Sequence, residues 1–315
     1  MAKAKQPEKQ IALTGATGFV GAHIMAEAAK AGWRVKALTR RPQKEIKNVT
    51  WIPGGLEDKA ALSALVKDAR YVIHCAGIVK AVKERDFFTV NAGGVERMLD
   101  AVAPAKPHFV LVSSLAAREP GLSNYAKSKH AGEKVLKDYG AGHPWTIVRP
   151  PPVYGPGGLD IIRFLQPMKK GYGLATGDAD NRFSLIHARD LAHCILSTLG
   201  EKSAFSATIE ADDQRAGGYT MHDISRLAAD FFERPIKTIA VPLALLRVFA
   251  FFNEMGSHIT GTPAVISRGK ANELAYPEWL ADQASHRHVP RWKAKIQLDK
   301  GLKETLEWYR AQGLL

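Results

Sequence analysis

Cysteine is nearly absent from this sequence: Cys75 and Cys194 are the two among 315 residues. Two distant thiols form neither a disulfide framework nor a zinc-ligand spacing, so a reducing compartment fits and no metal site is expected. Both sit in apolar stretches and read as small buried residues. Long apolar runs are missing as well. The longest, LALLRVFAFF at 243–252, is interrupted by Arg247 and is too short to span a bilayer. The start, MAKAKQPEKQ, is polar and basic and lacks the apolar stretch of a signal peptide, so the expected location is the cytoplasm. No internal repeat or low-complexity segment is found. Acid is in short supply: 31 Asp and Glu face 44 Lys and Arg, a formal net charge of +13. Such an excess points to an acidic ligand, an anionic membrane surface or nucleic acid. No aromatic stacking platform or nucleic-acid motif accompanies the lysines, which argues against the last.

What the sequence does contain is alternation. QIALTG, WRVKALT, VTWIPG, YVIHCAG, HFVLVSS and WTIVRP are short apolar runs closed by Gly, Pro, Ser or charge. Between several of them lie stretches of helical period, such as FVGAHIMAEAAKAG and DKAALSALVKDA. Strand alternating with helix predicts an α/β fold, a Rossmann-type doubly wound parallel sheet covered on both faces. After Pro150 the rhythm breaks at RPPPVYGPGG. The reading is a basic tail at 1–9, a dinucleotide-binding domain at 10–154 and 181–202, and a smaller C-terminal substrate-binding lobe at 155–180 and 203–315. SLIHARDLAHCILSTLG is the return to the first domain. LDKGLKETLEWYRAQGLL is a final helix with Leu302, Leu306, Trp308 and Tyr309 on its apolar side.

In IALTGATGFVGAHI, Gly15, Gly18 and Gly21 are spaced three apart between a strand and a helix. Glycines there permit a tight turn and let backbone amides approach a pyrophosphate at a helix N-terminus. The second strand ends in ALTRRP. An NAD-selective site carries an acid near this point for the ribose 2′-hydroxyl, whereas arginine suits a 2′-phosphate. Arg40, and after it Arg41, therefore favour NADP(H) over NAD(H); the bland alternative is a solvated turn.

HFVLVSSLAA ends a strand in Ser113 and Ser114, on the side of a parallel sheet where ligands bind. Eleven residues beyond Ser114 comes Tyr125, then Lys129 four positions on, which stacks the pair on one helix face. Free tyrosine has a pKa near ~10 and is a poor acid at neutral pH. A lysine ammonium beside it is expected to lower that value, and a serine hydroxyl can hold the same substrate oxygen.

Together TGATGFVG, VSS and YAKSK resemble the extended short-chain dehydrogenase/reductase family, the epimerase/dehydratase-like group. VIHCAG, VNAGGVERML, RPPPVYGPG and SLIHARDLAHCIL match further family motifs in the right order, over about residues 10 to 200. The resemblance implies that Tyr125 is the proton donor or acceptor, that Lys129 binds the nicotinamide ribose and depresses the tyrosine, and that Ser114 orients the substrate oxygen. The doubled serine leaves Ser113 as the alternative. Cofactor contacts implied by the resemblance are Gly15, Thr17, Gly18, Phe19, Val20, Arg40, Arg41, Leu56, Ala76, Gly77, Asn91, Ser113, Tyr125, Lys129, Pro150 and Val153. Asn91 supports the helix or a proton relay, or is a loop or cap asparagine. Two departures stand out. Gly55 occupies the place where the family often has an acid near the adenine, which leaves Leu56 to pack there. The loop LAAREPGLS between serine and tyrosine is short.

Arg163, Lys169, Lys170 and Arg182 are candidates for a sugar nucleotide, without a clear signature. VPLALLRVFAFFNEMGSHITG is different in kind: Leu243, Leu246, Val248, Phe249, Phe251 and Phe252 surround one charge. Alone it reads as a core helix. The functional alternative is a greasy lid or membrane-resting helix, with Arg268, Lys270, Arg287, Arg291, Lys293 and Lys295 facing an anionic bilayer. TPAVISRGKANELAYPEWLAD is similar to a subgroup of atypical extended reductases, related to the NADPH-binding accessory subunit of respiratory complex I and to bacterial ceramide reductases. That resemblance implies an NADPH-dependent reductase of a hydrophobic, lipid-type ketone such as a 3-oxo-ceramide or 3-ketosphinganine. The alternatives are a nucleotide-sugar epimerase or dehydratase and a non-catalytic NADP(H)-binding subunit.

Overall fold

The computed structural model of the protein describes residues 9–139 and 142–315; all but the last residue of the expected basic tail lies outside the described residues. The apolar runs of the first half become strands and the periodic stretches become helices. In order these are β1 (Gln10–Thr14), α1 (Phe19–Lys30), β2 (Arg34–Thr39), β3 (Val49–Pro53), α2 (Lys59–Val66) and β4 (Tyr71–His74). They continue with α3 (Glu84–Asn91), α4 (Gly93–Val102), β5 (His108–Val112), α5 (Asn124–Tyr139) and β6 (Trp145–Val148). Beyond them come β7 (Val153–Tyr154), α6 (Ile162–Lys169), β8 (Tyr172–Thr176), β9 (Arg182–Phe183), β10 (Ile186–His187), α7 (Ala188–Thr198) and β11 (Ala207–Ile209). The chain ends in α8 (Met221–Phe232), β12 (Lys237–Val241), α9 (Leu243–Thr260), α10 (Arg268–Leu274), β13 (Glu278–Trp279) and α11 (Leu298–Ala311).

Seven strands form one parallel sheet in the order β11-β6-β5-β4-β1-β2-β3. The winding reverses between β1 and β4, and the crevice at the carboxyl ends of those strands is where such a sheet binds ligands. The interior strand β5, HFVLV, is buried at every position, as a continuous apolar run covered on both faces must be. Ile24 of α1 and Leu191 and Ile195 of α7 cover one face. Leu62 of α2, Leu99 of α4 and Leu136 of α5 cover the other. The segment read as a return to the first domain is α7, in that first core.

The lobe has its own core, with Leu165, Met168, Tyr219, Leu306 and Tyr309 buried together. Three two-stranded pairs, β10 with β7, β12 with β8 and β13 with β9, are also parallel. The expected boundary at 203 is corrected in two places. Residues 207–209 form β11 at the edge of the main sheet, and Val289 and Trp292 pack into the core beside α7. A three-residue strand is too short to show a period, and an isolated Trp carries no sequence sign of the face it joins. Buried Asp190 of α7 accepts from the amides of Lys295 and Ile296, at 2.9 and 2.7 Å, and so anchors the segment leading into α11. Among the described residues no helix is long and apolar enough to cross a membrane.

An ion-pair network joins the two parts. Arg149, just after β6, donates to both oxygens of Glu133 on α5, at 2.9 and 2.7 Å, and to Glu210 after β11, at 3.2 Å. Arg118 reaches the same Glu210 at 3.3 Å and also donates to the carbonyls of Leu280 and Glu278 in the lobe. Both carboxylates are buried. Removing one partner of a buried pair leaves the other charge without compensation. Arg149→Ala is therefore expected to lower unfolding free energy by about 3–5 kcal/mol in urea denaturation; a loss below about 1 kcal/mol would show that water replaces the guanidinium at no cost.

Candidate active site

The glycine turn between β1 and α1 is built as the sequence predicts. Gly15 has φ +75°, and a Cβ there would lie 2.7 Å from the Ala76 nitrogen. A Cβ on Gly21 would lie 2.0 Å from the Gly15 carbonyl oxygen, so the helix can approach the turn only without side chains. Gly18 is the N-cap of α1 and donates its N–H to the Gly15 carbonyl at 3.0 Å. Thr17 is exposed at the tip, and Phe19 and Val20 are half-buried in the first turn. The first amides of α1 and its positive dipole end thus open toward the crevice. Phe19 also supports a second glycine loop: a Cβ on Gly158 would lie 2.8 Å from its ring.

The other expected cofactor residues surround the same crevice. Ala76 donates its N–H to Thr14 Oγ1 at 3.2 Å, behind Gly15. Gly77 is exposed, and a Cβ there would meet Asn91 Oδ1 at 2.9 Å and Lys129 Nζ at 3.8 Å. Leu56 packs on the core beside Gly94, where a Cβ would touch it at 3.0 Å. Arg40 and Arg41 are exposed at the end of β2, and the Arg40 stem passes 4.0 Å from the Cβ position of Gly55, beside the Glu57 carboxylate. Pro150 is buried and accepts from Leu115 N–H at 2.8 Å, while half-buried Val153 pairs with Ile186. Asn91 is fully engaged: it accepts from Ile78 N–H and donates to the Ile78 carbonyl and to Ser128 Oγ, all within 3.0 Å. Its place is a brace between the loop after β4 and α5. These residues fit a dinucleotide: a side-chain-free turn, an open helix N-terminus, an apolar platform at Leu56 and a cation at Arg40.

Ser114, Tyr125 and Lys129 stand together. Ser114 is half-buried and near enough to the Tyr125 phenol to lower its pKa, and its Oγ accepts from Ala116 N–H at 3.2 Å. Ser113 points the other way and donates to Glu133 Oε1 at 2.6 Å. The structure thus separates the two serines that the sequence left as alternatives: Ser114 faces the phenol and Ser113 faces the core. Lys129 is buried and donates to the Val112 carbonyl at the end of β5, at 2.8 Å. Burial lowers the Lys129 pKa to about 8, against the opposing pull of Cys75 and Glu133. Burial raises the Tyr125 pKa to about 12; the Ser114 hydroxyl lowers it, and Glu273, Cys75 and Asp160 raise it further. The expected depression of the phenol is not found, because burial of the phenol outweighs the lowering by Ser114.

Several contributors were missed. Glu133 lies at the same helical spacing again, so Tyr125, Lys129 and Glu133 form one stripe down α5; that spacing was a signal available in the sequence. Ser123 caps α5 through Ala126 N–H at 2.9 Å and donates to buried Glu273 of α10. Gly269 of α10 packs directly on Ser123, where a Cβ would sit 2.8 Å away. Lys80, in the loop after β4, bridges to Asp160, in the loop after β7, at 2.5 Å. These long-range pairs leave no trace in sequence spacing. Lys127 is exposed, and Lys134 pairs with Asp138, so neither joins the site.

Burial of Lys129 has a sign that can be measured. The unfolded chain holds this proton up to about 10.5 and the folded one up to about 8. Between those values the unfolded state binds more protons, so this group makes stability rise with pH. Wild type is expected to gain stability relative to Lys129→Met from pH 8 to 10 in denaturant titrations. Parallel pH curves for the two proteins would mean that the lysine is solvated.

Comparison with known proteins agrees with this geometry. A family model described as the NAD dependent epimerase/dehydratase family matches residues 11–208. The ceramide reductase of Caulobacter vibrioides is 36% identical over 310 residues, covering 97% of this chain and 96% of the relative. The UDP-glucose 4-epimerase of Vibrio cholerae is 23% identical over 336 residues, covering 95% of each. Among solved structures, MoeE5 in complex with UDP-glucose and NAD superposes with a TM-score of 0.75 at 20% identity, over 96% of this chain and 99% of that one. A glycine turn against a helix N-terminus, a serine–tyrosine–lysine group at the strand ends, and a family match spanning the whole sheet lead to one conclusion: the chain belongs to the NAD-dependent epimerase/dehydratase family and is an NAD(P)-dependent oxidoreductase.

Proposed function

We propose that the protein is an NADPH-dependent reductase of a hydrophobic, lipid-type ketone, of the 3-oxo-ceramide or 3-ketosphinganine kind. The observation that carries this reading is the 36% identity to a ceramide reductase over nearly the full length of both chains, with Ser114, Tyr125 and Lys129 assembled. The loops that follow β4 and β7, joined by Lys80 and Asp160, also expose Val79 and Leu159, which suits an apolar substrate. Bound NADPH supplies the hydride to the carbonyl carbon. Tyr125 stays protonated at neutral pH and gives its proton to the carbonyl oxygen, so the C=O bond becomes C–H and O–H. Ser114 holds that oxygen beside the phenol. Lys129 is a cation below pH 8 and stabilises the phenolate that remains. Exposed Arg40 at the end of β2 would pair with a 2′-phosphate, which supports NADPH over NADH in this reading.

Tyr125→Phe should reduce NADPH oxidation with a 3-oxo-lipid in detergent by at least about 10²-fold, with NADPH affinity nearly unchanged. Full activity in that variant would sink the mechanism. Turnover of UDP- or GDP-sugars without added cofactor would instead make the chain an epimerase or dehydratase, and NADPH binding with no ketone turnover would make it an accessory subunit. For the cofactor, Arg40→Ser is expected to weaken NADPH binding about tenfold while leaving NADH binding unaltered; equal losses for both would remove the preference.

A further inference from the structure

Helix α9 is apolar on two sides, and one of them is uncovered. Leu246 and Ala250 are buried against Ala271 of α10, with Leu243 and Ile266 packed beside them. Leu245, Val248, Phe249, Phe252, Met255 and Ile259 are all exposed, Phe252 at 61% and Ile259 at 81%. At 3.6 residues per turn these six fall within an arc of about 120° and run for about 21 Å along the helix. Solvent-exposed apolar patches of this continuity mark interaction surfaces on soluble folds.

Charge identifies the occupant. From Lys237 to Glu273 the chain carries Lys237, Arg247, Arg268 and Lys270 against Glu254 and Glu273; Arg268 binds Glu254 at 2.6 Å and Lys270 binds Glu273 at 2.9 Å, so the charge in excess is that of Lys237 and Arg247. The ribbon that feeds α9 repeats the mixture: exposed Tyr172 and Leu174 of β8 stand opposite Lys237 and exposed Ile239 of β12. An apolar stripe bordered by cations matches an anionic bilayer, with aromatic rings entering the acyl boundary and ammonium groups at the phosphates. From outside that arc, the helix is also tied to the site. Arg247 donates to Asn272 Oδ1 at 3.0 and 2.8 Å, Asn272 donates to the Leu122 carbonyl, and Ser123 and Tyr125 follow at once.

We infer that α9 is a membrane-docking helix, which rests its outer face on anionic lipid and holds the mouth of the site at the bilayer surface. The inference stands apart from the ketone reading, because it is tested without turnover. The experiment is co-sedimentation of the full chain with vesicles of phosphatidylcholine alone and of phosphatidylcholine with phosphatidylglycerol. Wild type should pellet with the anionic vesicles, less so as sodium chloride rises past the range of Debye screening. Phe249→Glu with Phe252→Glu should lower the bound fraction at least about tenfold, with NADPH binding preserved as the check on folding. Undiminished pelleting of the double variant, or no pelleting of wild type with either vesicle, would overturn the inference. So would a wild-type dimer, seen by analytical ultracentrifugation, that the double variant disperses without any vesicle binding; a second copy would then cover the stripe.

Discussion

The Arg149 guanidinium holds the rest of the site in place. It binds Glu133, and Glu133 also receives the Ser113 hydroxyl, so one carboxylate fixes the end of β5 to α5. Tyr125 and Lys129 lie on that same stripe of α5, two turns and one turn before Glu133. Their position over the strand ends therefore depends on a buried ion pair between α5 and the segment after β6. Through Glu210 and Arg118 the same charge network reaches the backbone of the lobe at Glu278 and Leu280. Buried charges tolerate little displacement before desolvation is uncompensated, so the network sets the register of lobe against sheet.

Around this frame the site uses absence of side chains as much as their presence. Gly15 and Gly21 let β1, β4 and α1 converge to distances that no Cβ would allow. The cleft then desolvates its own acid and base. Burial holds Tyr125 protonated and brings the Lys129 pKa down to about 8, so that the lysine is still a cation at neutral pH.

The lobe reaches the chemistry from the opposite side. Glu273 of α10 receives Ser123, the cap of α5, and so a helix from the lobe sets the entry of the tyrosine helix. The helix packed on α10 is α9, with its uncovered apolar face. The partner of the α5 cap and the uncovered outer surface thus belong to one short segment, α9 and α10.

Much of this protein was legible before any coordinates. Apolar runs alternating with helical periods required a parallel sheet, and the spacing of Gly15, Gly18 and Gly21 after a strand required the phosphate turn. The i, i+4 spacing of Tyr125 and Lys129 put the pair on one face of α5, because local backbone geometry alone places such residues together. What tertiary structure decided involved partners distant in sequence. It chose Ser114 over Ser113 through a carboxylate on another element. It placed β11 in the sheet, although three residues show no period. It turned Asn91 into a brace, reversed the expected shift of Tyr125 by burial, and left one face of α9 uncovered. Period and spacing report only what neighbours along the chain do to each other; burial and long-range pairing exist only once the chain has closed on itself.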